Sequence, residues 1–211
     1  MATERRTLLA DAALGVLAEE GIRGLTHRAV DRKAAVPPGT TSAYYRTRAA
    51  LLTGLVTRLV QLDQAELHTM GERLPPPRTA AELVDGIELL TRRRLTGEGR
   101  GRSLARYACA VESVRDPELR EILVPRENAG RDTVRHFLAG HGVTDVESRS
   151  HTLLTCIDGL VFDRLVSGGE VPREAIEGLV AAALRQGPGR TAADGTRAPD
   201  RRRGPAAGPG A

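Results

Sequence analysis

Aromatic side chains are nearly missing from this chain: three Tyr, two Phe and no Trp in 211 residues. A core must then be built from Leu, Val and Ala, a composition suited to packed helices, and no large aromatic cage can form. Cysteine is as scarce. Cys109 and Cys156 stand singly, without a C-x-x-C spacing, which excludes a disulfide framework and a zinc site and leaves both as small core residues. Lysine occurs once, at Lys33, beside 30 arginines in an Ala-, Gly- and Pro-rich chain, a bias of genomic composition more than of function. No stretch approaches the roughly 20 consecutive apolar residues of a membrane-spanning helix. The first segment is broken by Asp11, Glu19 and Glu20 where a signal peptide would be apolar. The expectation is a cytoplasmic protein with no membrane partner.

Catalytic signatures are lacking too. There is no H-E-x-x-H, no G-x-S-x-G and no phosphate-cradling loop. Gly97-x-Gly-x-Gly101 follows no strand and reads as a flexible loop, and His151 with Cys156 or Asp158 matches no nucleophile and base spacing. No catalytic residue, metal site or cofactor is assigned, and an enzyme is not expected.

What is present is charge, unevenly spread. The net +4 divides into +3 over residues 1–50, −2 over 51–186 and +3 over 187–211. Basic ends around a weakly acidic middle suit an N-terminal part that meets a polyanion, although a solvated Arg-rich surface gives the same charge. Residues 187–211 hold no Leu, Ile, Val or aromatic and are crowded with Gly and Pro, so they should be disordered, with Arg201–Arg203 a basic cluster in that tail.

Between the ends the periodicity is helical throughout, so the fold class is all-α with about nine helices. Leu9, Ala12, Ala13, Val16 and Leu17 line the first, from Thr3 to Glu20, which stops at Gly21 as a left-handed cap. Thr26 caps a short second helix to Ala34, and Pro38 opens a third through Tyr45. Thr47 caps a long fourth helix that ends at Pro75-Pro76-Pro77, and a fifth runs from Thr79 to Leu95. A sixth spans Ser103–Val114. A seventh opens at Asp116-Pro117-Glu118 and reaches Gly140, kinked or split at Pro125. The eighth, Asp145–Val166, and the ninth, Pro172–Leu184, carry more apolar surface than one neighbour can cover. Leu153, Leu154, Ile157, Leu160, Val161, Leu165, Ile176, Leu179, Val180 and Ala183 are therefore expected to meet another copy of the chain in a four-helix bundle.

Two short helices joined by a tight turn and braced by an amphipathic first helix make a helix-turn-helix, whose second helix enters the DNA major groove. The run Gly24–Leu52 resembles the DNA-binding segment of the tetracycline-repressor (TetR) family. The resemblance lies in Leu25-Thr26 at a helix start, Ala34 and Val36 around the turn, Gly39-Thr40 opening the recognition helix, Tyr44 and Tyr45, and Arg48 before Leu51-Leu52. It covers about a quarter of the chain. It implies a DNA-binding domain at 1–47 and an effector-binding and dimerisation domain at 48–186, ahead of the tail that composition marks at 187–211.

The resemblance further implies that Thr26 and Arg48 clamp phosphates, that Thr40, Ser42 and Tyr44 face the groove, and that Arg28 reaches a guanine edge or a phosphate. His27 becomes a rim contact, Pro38 and Gly39 join the DNA-binding set, and Tyr45 is core. Three positions depart from the family. Asp31 replaces a small apolar residue and is expected to turn inward to a local hydrogen bond or to pair with Arg28 or Arg32. Ala35 replaces a glycine, at a modest cost if it is left-handed. Ser42-Ala43 replace bulkier residues, which suggests close approach to base edges, with Ala43 able to touch a thymine methyl.

In the larger domain the resemblance implies a pocket for a small-molecule effector whose binding changes the separation of two DNA-reading heads on a palindromic operator. Candidate polar groups are His68, Tyr107, Glu112, His136, His151 and Asp158. The function so implied is a sequence-specific DNA-binding regulator, a repressor released by its effector. The alternative is a helical adaptor that binds a protein or metabolite without sequence-specific DNA binding.

Overall fold

The computed structural model describes residues 2–124 and 128–185. The tail at 187–211 and Pro125 lie outside them. Among the described residues every regular element is a helix: α1 (Ala2–Gly24), α2 (His27–Lys33), α3 (Thr40–Tyr44), α4 (Arg48–Arg73), α5 (Ala80–Leu95), α6 (Gly97–Ser113), α7 (Pro117–Leu123), α8 (Ala129–Gly140), α9 (Val146–Ser167) and α10 (Arg173–Leu184). None of these helices is long and apolar enough to cross a membrane.

The helix starts follow side-chain chemistry. The hydroxyl of Thr26 accepts from Ala29 N at 3.2 Å, that of Thr47 from Ala50 N at 3.0 Å, and the Asp116 carboxylate from Leu119 N at 3.1 Å. Thr79 and Glu82 form a reciprocal capping box. Gly21 takes φ 70° and ψ −175°, a backbone region open to glycine, so α1 breaks where the sequence stops it and then resumes to Gly24.

Two boundaries differ from expectation. The glycine-rich stretch expected as a loop is the first turn of α6, entered directly from Thr96, which ends α5 and begins α6. The corner is so tight that a Cβ on Gly99 would lie 1.9 Å from the Arg93 carbonyl oxygen. Glycine there serves close passage of two helices. Pro38 precedes α3 instead of opening it, because Thr40 N and its hydroxyl both donate to the Pro37 carbonyl and Gly39, at φ 89°, turns the chain into the helix. The expected seventh helix is split, as the proline there implied, into α7 and α8, with Asn128 capping the second through Arg131 N.

Packing divides the chain into two cores. The first joins Leu9, Ala13, Val16 and Leu17 of α1 to Leu25, Ala29 and Val30, to Tyr45, to Leu51, Leu55, Val56 and Leu59 of α4, and on to Cys109 of α6 and Leu119 of α7. It runs across the Thr47–Arg48 junction, so the N-terminal head is seated on α4, α6 and α7. The second core gathers Leu83 and Ile87 of α5, Phe137 and Leu138 of α8, Leu153 and Ile157 of α9, and Ile176 and Val180 of α10.

Between the cores runs a polar seam. Glu66 accepts from Arg102 at 2.5 Å and Arg93 at 3.4 Å, and Asp63 pairs with Arg106. These ties join α4 to α5 and α6. Farther out, Arg173 of α10 grips Asp85 and Glu88 of α5 at 2.8 and 2.6 Å.

Candidate nucleic-acid interface

The helix-turn-helix is assembled by hydrogen bonds between short segments that could not hold themselves. α3 has five residues, far below the length at which a helix persists alone. One end is held from α2. Asp31, 4% exposed, accepts from Gly39 N at 2.8 Å, Thr41 N at 2.7 Å and Thr41 Oγ1 at 2.5 Å. Burial pushes its carboxyl up, but the hydroxyl and the two amides outweigh this and hold it below the ordinary carboxylate value. The inward turn expected of Asp31 is what the structure shows. Its partners are the start of α3, not Arg28 or Arg32.

The other end of α3 is held by His27, whose Nε2 donates to the Tyr45 carbonyl at 2.7 Å. His27 thus ties the start of α2 to the end of α3. Tyr45 is buried in the first core, donates its hydroxyl to the Arg6 carbonyl at 3.2 Å, and lies against Gly54, where a Cβ would come within 2.4 Å of its ring. Burial raises the pKa of its phenol, and the Arg6 guanidinium 5.6 Å from the ring centroid opposes the rise. Ala35 is left-handed at φ 52°, the strained conformation its family position foretold.

On the outer face Ser42 and Ala43 are exposed, Thr40 and Tyr44 half-buried, and Thr26, Arg28, Pro38, Gly39 and Arg48 exposed. Arg48 donates to the carbonyls of Leu25 at 2.5 Å and Ile22 at 2.8 Å. These bonds use two of its five N–H groups and set the start of α4 beside that of α2.

Of the six polar residues expected to line an effector pocket, the structure brings together only Tyr107 and Asp158. His68 is exposed and pairs with Glu72 at 3.3 Å, His136 donates to the Asp132 carbonyl one turn back, His151 is exposed, and Glu112 is half-buried near the end of α6. Asp158 is bound to Arg94 at 2.6 Å, and its carbonyl accepts from the Tyr107 hydroxyl at 2.8 Å. Tyr107 alone of the six lines the cavity of the seam, with Asp63, Glu66, Arg94, Arg102 and Arg106 among the other walls. That cavity holds about 20 Å³, room for one water. Burial, with Asp158 nearby, pushes the Tyr107 phenol up to about 12, and its ring meets Phe162 edge-on at 5.0 Å. The sequence reading missed the seam carboxylates and arginines: taking Gly97–Gly101 for a loop left Arg102 outside the sixth helix, and the partners Glu66 and Asp63 lie 36 and 43 positions away from Arg102 and Arg106.

Six residues expected at a chain–chain contact, Leu153, Ile157, Val161, Ile176, Val180 and Ala183, are buried within the single chain at 0–7% exposure. This corrects the expectation. Leu153, Ile157 and Val161 repeat every four residues and so share the inward face of α9. Leu154, Leu160, Leu165 and Leu179 are half-buried, and the outward apolar residues of α9 are Phe162 at 50% and Val166 at 74% exposure.

Known proteins now bear on this geometry. Residues 78–186 match the family model described as the tetracyclin repressor-like C-terminal domain. A transcriptional regulator from Rhodococcus sp. Rha1 is 25% identical, covering 85% of this chain and 93% of that one with a TM-score of 0.66. The multidrug binding protein EbrR, solved with imidazole, is 23% identical over 88% of this chain and 98% of its own, with a TM-score of 0.63. A TetR-family member from Streptomyces coelicolor A3 is 23% identical over 86% and 99%, with a TM-score of 0.65. No curated protein sequence matches the chain. With the family model spanning more than half of its residues, the chain belongs to the tetracycline-repressor (TetR) family of regulators.

Proposed function

We propose that the protein is a sequence-specific DNA-binding transcriptional regulator, a repressor released by a small molecule, and that it acts as a homodimer on a palindromic operator. The observation that carries this is the α2–turn–α3 unit. A five-residue helix pinned at both ends turns Ser42 and Ala43 outward, beside Thr40, Tyr44 and Arg28. Small, exposed side chains suit close approach to base edges. Arg48 and the amides opening the 26-residue α4 suit a phosphate, since both present N–H groups at the positive end of a long helix. The head at 1–47 would read DNA and the body at 48–186 would sense and pair, with the outer face of α9, marked by Phe162 and Val166, and the neighbouring α10 meeting a second copy.

A ligand is proposed because EbrR, similar in fold, has been solved with ethidium, proflavin and malachite green. In this chain the seam is closed. Entry would require the Arg–carboxylate ties of α4 to open, and α4 also carries Leu55 and Val56 of the core that seats the head. A ligand favouring an open seam would shift the population away from the head spacing that fits two half-sites.

The test is selection of bound duplexes from a random library at low salt. An inverted repeat is expected. Failure to enrich any sequence would contradict the proposal and leave a helical adaptor as the reading of the fold.

A further inference from the structure

We propose that Asp31 is the positioning residue of the reading helix: its carboxylate, carried on α2, fixes the rotation of α3 and thereby the face that meets the bases. This deepens the DNA-reading function proposed above and rests on it.

The argument begins with what α3 lacks. Its capping residue is Gly39, which has no side chain to accept the first amides, and the helix is too short for its own hydrogen bonds to fix it. Asp31 supplies the missing cap from another helix. Its two oxygens take different positions of α3: Oδ2 receives Gly39 N, and Oδ1 receives both the amide and the hydroxyl of Thr41. A grip on two residues of one helix turn settles rotation as well as distance. Thr41 is fully buried at the contact. Successive residues turn by about 100° around a helix axis, so Thr41 held inward sends Ser42 and Ala43 outward, as their exposure shows.

The same residue holds the turn through its backbone, Val36 N donating to the Asp31 carbonyl at 3.1 Å. One residue therefore connects the supporting helix, the turn and the reading helix. Asn cannot replace it. Its amide offers one acceptor oxygen and sets an NH₂ group against a backbone N–H that needs an acceptor.

The experiment uses the full chain and two labelled duplexes, the one selected from the library and one of random sequence, at fixed salt. For Asp31→Asn the ratio of selected to random affinity falls at least about tenfold, the value of one lost hydrogen bond to a charged group. Affinity for random DNA and its dependence on salt stay as in the wild type, because the phosphate contacts are untouched. Thr41→Val, which removes only the hydroxyl bond, loses about threefold in the ratio, and Thr41→Ser, which restores a hydroxyl, recovers it.

A wild-type ratio in Asp31→Asn would overturn the inference. So would an equal loss on both duplexes, which marks a residue needed only for folding. If Asp31→Asn does not fold, the Thr41 pair decides: a loss in Val with recovery in Ser supports positioning, and unchanged ratios in both overturn it. A wild type without preference for any duplex overturns the DNA-reading function itself, an outcome distinct from a selective wild type whose Asp31→Asn variant is equally selective.

Discussion

Asp31 in the head and Glu66 in the body are both carboxylates set between helices, and they are satisfied in opposite ways. Asp31 takes two backbone amides and a short hydroxyl from one helix start, at 2.5 to 2.8 Å. Glu66 takes guanidinium groups on long side chains from two different helices, at 2.5 and 3.4 Å. Donors fixed to the backbone impose a geometry and are little affected by ions in solution. Arginine pairs at a half-exposed seam can re-form at other distances and weaken with salt. The contacts of Asp31 thus hold α3 in one geometry, and those of Glu66 allow α4, α5 and α6 more latitude. That division suits the reader and the sensor proposed above.

The comparison breaks most severely in the core that both regions share. Leu55→Ala, at a fully buried site of α4 in contact with head and body, should cost about 2–5 kcal/mol in denaturant unfolding. A single cooperative transition that shifts as a whole would show that head and body unfold together, and two separated transitions would show that they do not. A smaller loss, about 1 kcal/mol, is expected for Glu66→Ala, which leaves Arg93 to water and Arg102 with Asp63 alone, at 4.0 Å. Raising the salt concentration should shrink that difference in parallel thermal melts.

Acid sharpens the contrast from the side of the head. The folded Asp31 carboxyl titrates below its ordinary value of 3.8, so the stability it contributes is complete above that value and is lost as the pH falls through the folded value. Unfolding measured from neutral pH downward should show the wild-type advantage over Asp31→Asn constant until about pH 4 and shrinking below it. The smallest effect is a gain. Ala35→Gly should add about 0.5 kcal/mol in denaturant unfolding, the relief of the left-handed alanine at φ 52° exceeding the freedom that glycine adds to the unfolded chain.

The head was legible in the sequence because its structure is local. Thr26 and Thr47 announce its helix starts through hydrogen bonds to residues three positions on, as Thr79 and Asp116 do for two helices of the body. Asp31 stood out because a charge had replaced a small apolar residue, and its partners lie within ten positions of it. The body was less legible because its contacts span the chain. Asp63 meets Arg106 across 43 positions and Arg94 meets Asp158 across 64, pairings that no periodicity reveals. Glycine misled for a related reason. Gly97–Gly101 reads as a flexible loop by propensity, yet Gly99 is required by the approach of the Arg93 carbonyl at the α5–α6 corner. On α9 the apolar pattern marked the helix correctly. It could not say that Leu153, Ile157 and Val161 would face the chain's own core and leave Phe162 and Val166 outside.

The central claim, that the α2–turn–α3 head reads DNA, is tested most directly by binding of the full chain to its selected duplex and to a scrambled one over a range of salt. The account predicts affinity for the selected duplex falling at least about a hundredfold between about 50 and 200 mM salt, with the scrambled duplex weaker throughout. Equal affinity for the two duplexes, or binding indifferent to salt, would contradict it.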